Sequence, residues 1–440
     1  MWRCRIPQLP TFFLALACVG VLPGVALTTA TPAAAATPEQ GDAVKAALRR
    51  EVRGANKRFY ESRDYKPLWI AEDKIGPSAR MLVNYLQNAD LDGLKPSSYR
   101  VPRLQNAIEE ADGGDPVALA RAEAALSDAF SRYVREQRKA GDAGMTFVDK
   151  SLRPAPPAPE MVLRAAAAAK SLREYIKSMG WMSPQYVRLR ELAARASMAG
   201  AAPEAMARLR LNMDRARVLP SAWARHVVVD SSSGRLWYYE DGKEVGTMRV
   251  VVGTAETPTP MLAGYLQWAI LNPYWNVPAS LVRTNIAPKV LSGRSLDSMR
   301  IEALSDWTEA PSKIPASKID WAAVAAGNAD VRLRELPGPA NSMGKVKLLF
   351  PNDEGIYLHD TPSRDLLKAN DRHFSNGCIR LEKADELTQW LLGKHYRKPG
   401  KEPEQAVHLP VPVPVYLTYL TAAATDEGLA FRPDVYGLDS

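Results

Sequence analysis

The feature of the sequence that most constrains its fold is a change of residue pattern near Pro220. Before this point, Ala and Leu recur with Arg, Lys and Glu at the spacing of amphipathic helices. After it, short runs of Val, Tyr and Trp alternate with turns that contain Gly and Asp, which is typical of strands and hairpins. Because a run of helices followed by a run of strands favours an α+β architecture, we predict a helical N-terminal domain followed by a β-rich domain.

The first half of the chain contains start signals for several helices. Asp115 and Pro116 suit the N-cap and first helical positions, so we predict a long helix from there to about Ala140. Further Ala-rich helices are predicted at 160–179, 183–199 and 203–217, after a connector rich in Pro and Ala at 154–159. The pattern therefore predicts an almost wholly helical N-terminal domain.

The second half contains strand signals that are separated by turn residues. Strands are predicted at 226–230, 235–239, 245–252, 267–271, 345–350, 355–358 and 413–421. Asp241 and Gly242 form a hairpin-turn dipeptide between two of these strands, and one helix is predicted at 384–392. The polar, Trp-bearing stretch at 292–337 interrupts the strands, so we predict an insertion there of the kind that forms lids and binding loops.

The N-terminus has the order of a secretory signal peptide. Two arginines in the first five residues precede an apolar run at 11–27, and a tract of small residues then ends at Ala36. We therefore predict a signal peptide at 1–36 and export to the periplasm. A retained membrane anchor is the alternative, but Pro23 and Gly24 leave the run short of the roughly 20 apolar residues that a span needs.

Removal of this segment changes the cysteine content and the charge. Cys4 and Cys18 leave with it, so Cys378 has no intramolecular disulfide partner in the exported chain. Lipidation of Cys18 is disfavoured because the apolar run continues past it. The lone Cys378 is a candidate reactive thiol, with a buried, inert cysteine as the alternative. The loss of the two arginines lowers the formal net charge from +8 to about +6, which suits an anionic wall or membrane surface, and no nucleic-acid-binding motif accompanies it.

The residues around Cys378 form the strongest candidate for a catalytic site. Gly377 permits a tight turn directly before the thiol, and successive main-chain N–H groups in such a turn form an anion nest. A cysteine nucleophile needs a base or cation nearby; His359 follows a strand-like run upstream, and Arg380 adds positive charge. The alternatives are a structural histidine and a surface arginine. Because the scattered histidines and the single cysteine lack the ligand spacing of a zinc site, no metal is expected.

These residues resemble a known active-site motif. The pattern of His359 followed by Ser375-x-Gly377-Cys378 is similar to that of L,D-transpeptidases with a YkuD-type catalytic domain, and most similar to the large periplasmic YcbB-like branch. Similar segments follow in order at 59–69, 90–99, 212–220, 257–260, 272–278, 336–341, 350–352, 357–362 and 413–417. Two features depart from the family pattern. Asn376 occupies the place of the usual histidine before the glycine, and no peptidoglycan-binding module is recognised.

The resemblance implies an α+β fold of two domains. A helical scaffold domain at 37–204 precedes a β-rich YkuD-type catalytic domain at 205–438, and the insertion at about 292–337 forms a capping subdomain. It also implies a peptidoglycan L,D-transpeptidase, which is a cysteine acyltransferase that needs no cofactor. The expected partners are the donor and acceptor stem peptides of peptidoglycan, with cell-wall synthesis proteins as further candidates and no nucleic acid.

The resemblance further implies roles for individual residues. Cys378 is the nucleophile, His359 is the base, and the main-chain N–H groups of Gly377 and Cys378 form the oxyanion hole. Asp360 is a candidate for orienting His359, with the capping of a turn as the alternative for its side chain. The candidate substrate contacts are Tyr357, Arg380, Ser375, Asn376 and Trp275, and a core aromatic is the alternative for Trp275.

Several activities are compatible with such a site. The expected one cleaves the bond between meso-diaminopimelate at stem position three and D-alanine at position four, and joins the acyl group to another diaminopimelate, which makes 3-3 cross-links. An alternative acceptor is the L-alanine amine at position one, which makes 1-3 cross-links; protein attachment, D-amino-acid exchange and hydrolysis use the same donor chemistry. A non-catalytic peptidoglycan-binding scaffold is the alternative that Asn376 suggests.

Overall fold

The computed structural model describes residues 38–439 except 140, 142, 309, 399 and 427. The predicted signal peptide at 1–36 lies outside these residues. Among the helices that are described, none combines the length and the hydrophobicity of a membrane-spanning segment.

The first part of the chain folds into helices, as predicted. They are α1 (Pro38–Glu51), α2 (Lys57–Ser62), α3 (Pro77–Gln87), α4 (Val101–Ala111), α5 (Pro116–Gln137), α6 (Pro159–Ala168), α7 (Leu172–Lys177), α8 (Pro184–Met198) and α9 (Pro203–Arg217). The Asp115 carboxylate caps α5 by accepting from two main-chain N–H groups of its first turn. The single helix predicted at 160–179 is wrong: it is two helices, because Ala169 turns to an extended conformation and Ser171 caps a new start at α7.

The helices enclose a core of aromatic and aliphatic side chains with two buried carboxylates. Glu123 accepts hydrogen bonds from the Tyr60 hydroxyl and the Trp69 main chain. Asp92 accepts from the hydroxyls of Tyr133 and Tyr186, both at 2.7 Å. Because each buried carboxylate is met by several donors, these groups tie neighbouring helices together at fixed positions.

The second part of the chain is built on strands. The strands of the chain are β1 (Ile70–Ala71), β2 (Lys74–Ile75), β3 (Thr146–Phe147), β4 (His226–Asp230), β5 (Arg235–Glu240), β6 (Lys243–Gly253), β7 (Leu262–Leu271), β8 (Trp275–Val277), β9 (Ile301–Leu304), β10 (Arg332–Glu335), β11 (Val346–Leu349), β12 (Leu358–His359), β13 (His373–Ser375), β14 (Ile379–Leu381), β15 (Gln405–Thr418), β16 (Ala422–Thr425) and β17 (Gly428–Phe431). The strand predicted at 355–358 is wrong in its bounds, since the pairing begins only at Leu358.

The strands close into a barrel. They pair in the order β7-β11-β12-β14-β6-β5-β4-β15, and β15 pairs back with β7. The inward-facing side chains form one apolar core with Leu387 and Leu391 of a helix at Ala384–Leu392, as predicted for that helix. Closure leaves no free edge within this ring, and it holds short strands such as β12 and β14 at fixed positions.

The two parts of the chain are interleaved at their junction. Strand β3, from the helical part, pairs with β7 of the barrel. Strands β16 and β17, near the C-terminus, pair with each other and contribute Ala422 and Phe431 to the helical core. The boundary predicted at residue 204 is therefore not a clean division in space. The helical part contributes β3 to the barrel, and the second part contributes β16 and β17 to the helical core.

A small unit lies between β7 and β11 and has its own core. It contains the sheet β8-β10-β9, the short helices α10 (Ala279–Leu281), α11 (Ala287–Leu291) and α12 (Trp321–Ala326), and a π-helical turn at Val282–Ile286. Its core includes Ile286, Trp321 and Leu333. The insertion predicted at 292–337 falls in this unit, which begins earlier, at Trp275. We call residues 275–335 the cap.

Candidate active site

Two short parallel strands bring the predicted catalytic residues together. Strands β12 and β14 pair in parallel with Leu358 opposite Ile379 and His359 opposite Arg380. Leu358 and Ile379 are fully buried in the barrel core. Because side chains alternate along a strand, the residues on either side of this pair share the other face, and these are Tyr357, His359, Cys378 and Arg380. The pairing therefore places His359 diagonally beside Cys378.

His359 is buried and oriented by a main-chain carbonyl. Its side chain is 3% exposed, and Nδ1 lies 2.6 Å from the carbonyl oxygen of Asp360. Since a carbonyl only accepts, Nδ1 carries the proton, and Nε2 of the neutral ring is left as the basic atom. Burial, together with the Arg380 cation, lowers the pKa of His359 to about 3. The imidazole of His359 is therefore neutral at physiological pH.

The Cys378 thiol is partly buried beside the Gly355 carbonyl and the Tyr357 side chain. Sγ lies 3.7 Å from the carbonyl oxygen of Gly355. Burial raises the pKa of the thiol, while Tyr357 and the Arg380 cation lower it by a smaller amount. The resting pair is therefore a neutral thiol and a neutral imidazole.

Three carbonyl groups of the loop that carries the cysteine accept hydrogen bonds that fix its main chain. The Ser375 carbonyl accepts from the Thr254 N–H at 3.0 Å, and the Gly377 carbonyl accepts from the Thr259 hydroxyl at 2.7 Å. The Cys378 carbonyl accepts from the Ser375 hydroxyl at 2.6 Å. In a planar trans peptide the carbonyl and the next N–H point in opposite directions, so the N–H groups of Asn376 and Cys378 face away from these ties. We call residues 375–378 the cysteine loop.

Gly377 is required by the shape of this loop. Its φ is +100°, a region that side chains with a Cβ rarely adopt. A Cβ built at this position would lie 3.1 Å from Cδ1 of the buried Ile356. The turn that exposes the N–H groups beside the thiol therefore depends on glycine.

Two of the predicted side-chain roles differ in the structure. The Asp360 carboxylate accepts from the Lys345 main chain at 2.9 Å and pairs with Arg364, so it is the carbonyl of Asp360, and not its carboxylate, that orients His359. The Ser375 side chain is buried and its hydroxyl is used within the cysteine loop, so Ser375 holds the loop in place although it borders the pocket.

The remaining predicted contacts line one large pocket between the barrel and the cap. Its volume is about 1020 Å³, and Tyr357, His359, Asn376, Cys378 and Arg380 all border it. Trp275, at the start of the cap, also borders it; this side chain is half-buried and packs against the apolar core of the cap, so both the contact and the core alternative remain open. Asn376 is exposed to the pocket. Cys378 thus borders a cavity that is lined by residues of both the barrel and the cap.

Arg380 brings an uncompensated positive charge to this pocket. Among the residues that the structure describes, no carboxylate pairs with its guanidinium, and its charge interacts with the Cys378 thiol. Lys347, also in the pocket, is paired with Glu404 at 2.7 Å. A half-buried guanidinium without an anion suits recognition of a carboxylate from outside the chain. Within the described ranges no group of three or more His, Cys, Asp or Glu side chains is arranged to hold a metal ion.

Two sequence families match the chain. The scaffold-domain family matches residues 55–192, and the L,D-transpeptidase catalytic domain family, YkuD, matches residues 224–415. The second match includes His359 and the whole cysteine loop. Residues 224–415 therefore form an L,D-transpeptidase catalytic domain of the YkuD family. The branch of that family remains a prediction.

One curated protein and several solved structures are similar to parts of the chain. A Haemophilus influenzae protein named "Putative L,D-transpeptidase" is 26% identical over 393 residues, which are 87% of this chain and 77% of that protein. Among solved structures, an L,D-transpeptidase from Mycobacterium smegmatis aligns with 44% of this chain and 58% of its own, at 13% identity and a TM-score of 0.21. The "Ldtfm-avibactam carbamoyl enzyme" aligns with 46% of this chain and 50% of its own, at 15% identity and a TM-score of 0.22. The chain thus spans only about half the length of these two solved proteins, and the family assignment rests on the sequence matches.

Sequence reasoning missed the residues that hold the cysteine loop of this YkuD domain. Thr254 and Thr259 donate to its carbonyls from the segment that follows β6. The segment 257–260 resembles the family, but nothing in its local pattern assigns a role to a threonine that lies 118 positions from Gly377. Gly355, whose carbonyl faces the thiol, had no sequence signal either. Of the other histidines, His226 is buried between Tyr239 and Tyr416 and has a structural setting.

Proposed function

We propose that the protein is a peptidoglycan L,D-transpeptidase that uses Cys378 as its nucleophile. The observation that carries this proposal is the shared sheet face at the base of the pocket, where His359 with a free basic nitrogen lies diagonally beside Cys378. The family acts on peptidoglycan peptides, and we assign to this member the bond between meso-diaminopimelate at stem position three and D-alanine at position four.

The first half-reaction forms an acyl-enzyme. Nε2 of His359 takes the thiol proton of Cys378 as the sulfur attacks the carbonyl carbon of diaminopimelate. The carbon–sulfur bond forms, and the carbonyl oxygen becomes an oxyanion. The carbon–nitrogen bond to D-alanine then breaks, and His359 returns the proton to the leaving nitrogen. A thioester and free D-alanine result, so atoms and charge balance.

The cysteine loop supplies the stabilisation of the oxyanion. The N–H groups of Gly377 and Cys378 are the proposed donors, and the tie on the Gly377 carbonyl supports this role for the Cys378 N–H. The Asn376 N–H is a further donor of the same loop, supported by the tie on the Ser375 carbonyl. Loss of one such donor typically costs about 3 kcal/mol of transition-state stabilisation.

The second half-reaction transfers the stem to an amine. A neutral amine of a second stem attacks the thioester carbonyl, His359 moves its proton to the departing sulfur, and a new amide forms. We propose the side-chain amine of diaminopimelate as the acceptor, which gives 3-3 cross-links. The cap residues that border the pocket support transfer over hydrolysis, because they limit the access of water to the thioester.

Charge and aromatic surface in the pocket support recognition of the stem. We assign to Arg380 a carboxylate of the donor stem, since its guanidinium meets no carboxylate of the described chain. Tyr357 and Trp275 both border the pocket and offer ring surface, and exposed Asn376 offers an amide. The stem carries several carboxylates, which fits a site with a free cation at its base.

The setting of the reaction is also part of the proposal. The signal-peptide pattern at 1–36 supports export to the periplasm, where peptidoglycan lies. The positive net charge supports association with an anionic wall. Cell-wall synthesis proteins are proposed as further partners of the exported protein.

The test uses purified protein and muropeptides with tetrapeptide stems. Wild type is expected to release D-alanine and to form cross-linked dimers that mass spectrometry resolves, and Cys378→Ala is expected to do neither. If wild type and Cys378→Ala leave the tetrapeptide equally unchanged, the protein is a non-catalytic binding module and the proposal is wrong. Fragmentation of the dimers assigns the acceptor: a bond to diaminopimelate supports 3-3 linkage, and a bond to L-alanine replaces it with 1-3 linkage.

A further inference from the structure

The C-terminal segment runs from the helical part of the molecule to the back of the cysteine loop. Residues 432–439 follow β17, which packs on the helical core. The Asp439 carboxylate pairs with Arg215 and Arg208 of α9, both at 2.6 Å. The Asp439 and Arg215 side chains are 5% and 3% exposed, so this ion pair is a buried anchor. We call residues 432–439 the C-terminal strap.

Tyr436 is the point at which the strap meets the catalytic domain. Its ring stacks on Tyr419, with ring centroids 4.9 Å apart. Its hydroxyl donates to the Gly253 carbonyl at 2.8 Å and accepts from the Thr259 N–H at 3.4 Å. One hydroxyl therefore joins the end of β6 to the segment that follows it.

Thr259 passes this contact on to the cysteine loop. It is 1% exposed, and its hydroxyl accepts from the Gly253 N–H at 2.9 Å while it donates to the Gly377 carbonyl at 2.7 Å. Because the Gly377 carbonyl and the Cys378 N–H belong to one peptide plane, the position of Thr259 sets the direction of that N–H. Tyr436 bonds to the main chain of Thr259, and it therefore influences the Cys378 N–H only through Thr259.

We propose that the C-terminal strap positions the oxyanion hole, with Tyr436 as a positioning residue that acts through Thr259 and with Asp439 as its anchor on the helical part. The strap touches neither the pocket nor the thiol in its described contacts, and it reaches the loop from the side opposite the substrate. It couples the seating of helix α9 to the geometry of the cysteine loop. This inference rests on the proposed function of that loop.

The test measures the reactivity of the Cys378 thiol separately from the stabilisation of the oxyanion. Alkylation of Cys378 by iodoacetamide needs the thiol but no oxyanion hole, whereas acylation by a carbapenem or by a tetrapeptide stem passes through an oxyanion. For Tyr436→Phe in the full-length protein we expect the acylation rate to fall at least about tenfold, with the alkylation rate within twofold of wild type. Peptide mass spectrometry assigns both modifications to Cys378.

One control and three further variants test whether the effect passes from the strap through Thr259 to the cysteine loop. Tyr85→Phe removes a hydroxyl that donates to the Lys177 carbonyl at 3.0 Å in the helical part, and it is expected to leave both rates unchanged. Thr259→Val is expected to slow acylation as Tyr436→Phe does, and Thr259→Ser, which keeps the hydroxyl, is expected to restore it. Asp439→Asn is expected to slow acylation with the same sign and to leave alkylation unchanged.

Outcomes against the proposal are distinct from a failure of the proposed function. If Tyr436→Phe acylates at the wild-type rate, the strap does not position the loop. If Tyr436→Phe slows alkylation and acylation equally, the effect is general loosening and the proposal is wrong. If Tyr436→Phe does not fold, Thr259→Val and Thr259→Ser decide, and equal acylation by the two overturns it. Wild type that alkylates normally but is never acylated by a stem or a carbapenem refutes the transpeptidase assignment itself.

Discussion

At the scale of single residues, the proposed chemistry depends on a histidine that is neutral well below physiological pH. Burial and Arg380 lower the pKa of His359 to about 3, and burial raises the pKa of Cys378. A base is active when it is unprotonated, so we expect the proposed activity to be lost only as the pH falls towards 3. A histidine with an unperturbed pKa would already become protonated, and inactive as a base, below about pH 6.5.

The first prediction concerns this pH dependence. Single-turnover release of D-alanine by wild type should be nearly constant from pH 8 down to about pH 5, without an inflection near 6.5. His359→Gln should slow this step about 10²- to 10⁴-fold across that range. The exposed His408, which lies on the outside of β15, gives the matched control, and His408→Gln should keep the wild-type rate. A wild-type acid limb near pH 6.5 would contradict the assigned state of His359.

The second prediction concerns Arg380, a cation of the pocket whose guanidinium meets no carboxylate of the described residues. Arg380→Gln removes a charged partner for a substrate carboxylate, which is worth about 10- to 100-fold in kcat/KM. The same change removes a cation that lowers the pKa of His359, so the acid limb of kcat/KM should move to higher pH. Arg294 also lines the pocket but lies in the cap, and Arg294→Gln should leave the acid limb in place. An unshifted limb in Arg380→Gln would show that Arg380 and His359 are not coupled.

At the scale of elements, the cysteine loop is the structure that local sequence specifies least completely. The glycine before the thiol indicates a turn, and Gly377 indeed has a φ of +100°. The ties that fix the carbonyls come from Thr254 and Thr259, far away in sequence, and depend on how β6 and β13 pair. A loop whose shape is set by tertiary contacts cannot be derived from the residues within it.

The third prediction tests the glycine in this loop. Gly377→Ala places a Cβ at a positive-φ position and in close contact with Ile356, which strains the loop. Acylation should fall about 10²- to 10³-fold because the oxyanion donors move, and the free energy of unfolding should fall by about 1–3 kcal/mol. Gly200 has a φ of +70° with open space around its Cβ position. Gly200→Ala should therefore cost stability but keep the acylation rate, and equal losses of rate in both variants would contradict this role for the loop.

Other elements follow from the sequence because their signals are local. Asp241 and Gly242 both adopt positive φ, at +51° and +79°, as a hairpin dipeptide of this type requires. The Asp115 cap starts α5 where the sequence predicts it. The diagonal approach of His359 and Cys378 has no such signal, since it depends on parallel pairing of two very short strands. Recognition of the motif supplied those two residues, and the pairing explains their meeting.

At the scale of the whole molecule, the pocket lies between the barrel and a cap that has its own apolar core. The cap has its own apolar core and joins the barrel between β7 and β11. Its irregular sequence predicts an insertion but not its start, because β8 at Trp275 gains its partner only from β10, nearly sixty residues later. Strands β3, β16 and β17 were likewise missed, since runs of two to four residues are stabilised by neighbours and not by local pattern.

The fourth prediction tests whether the cap opens independently. Trp321 lies in the cap core with 8% exposure, and its indole N–H donates to the Ala316 carbonyl at 2.9 Å. Trp321→Ala typically costs about 3–5 kcal/mol, which is large for so small a core. Hydrogen exchange should accelerate across 277–333 but stay slow in α5 and β11, and hydrolysis should gain relative to transfer. Trp307→Ala, at a half-exposed position of the same unit, should change neither. Faster exchange throughout the chain would show that the cap is not a separate unit.

The central claim is that Cys378 carries the donor stem as a thioester. The most direct measurement is peptide mass spectrometry of the protein after quenching during turnover with a tetrapeptide stem. We predict that the peptide containing Cys378 gains the mass of the stem without its terminal D-alanine, that hydroxylamine removes this adduct, and that His359→Gln accumulates less of it. Turnover without an adduct on Cys378, or with the adduct on another residue, would contradict the account.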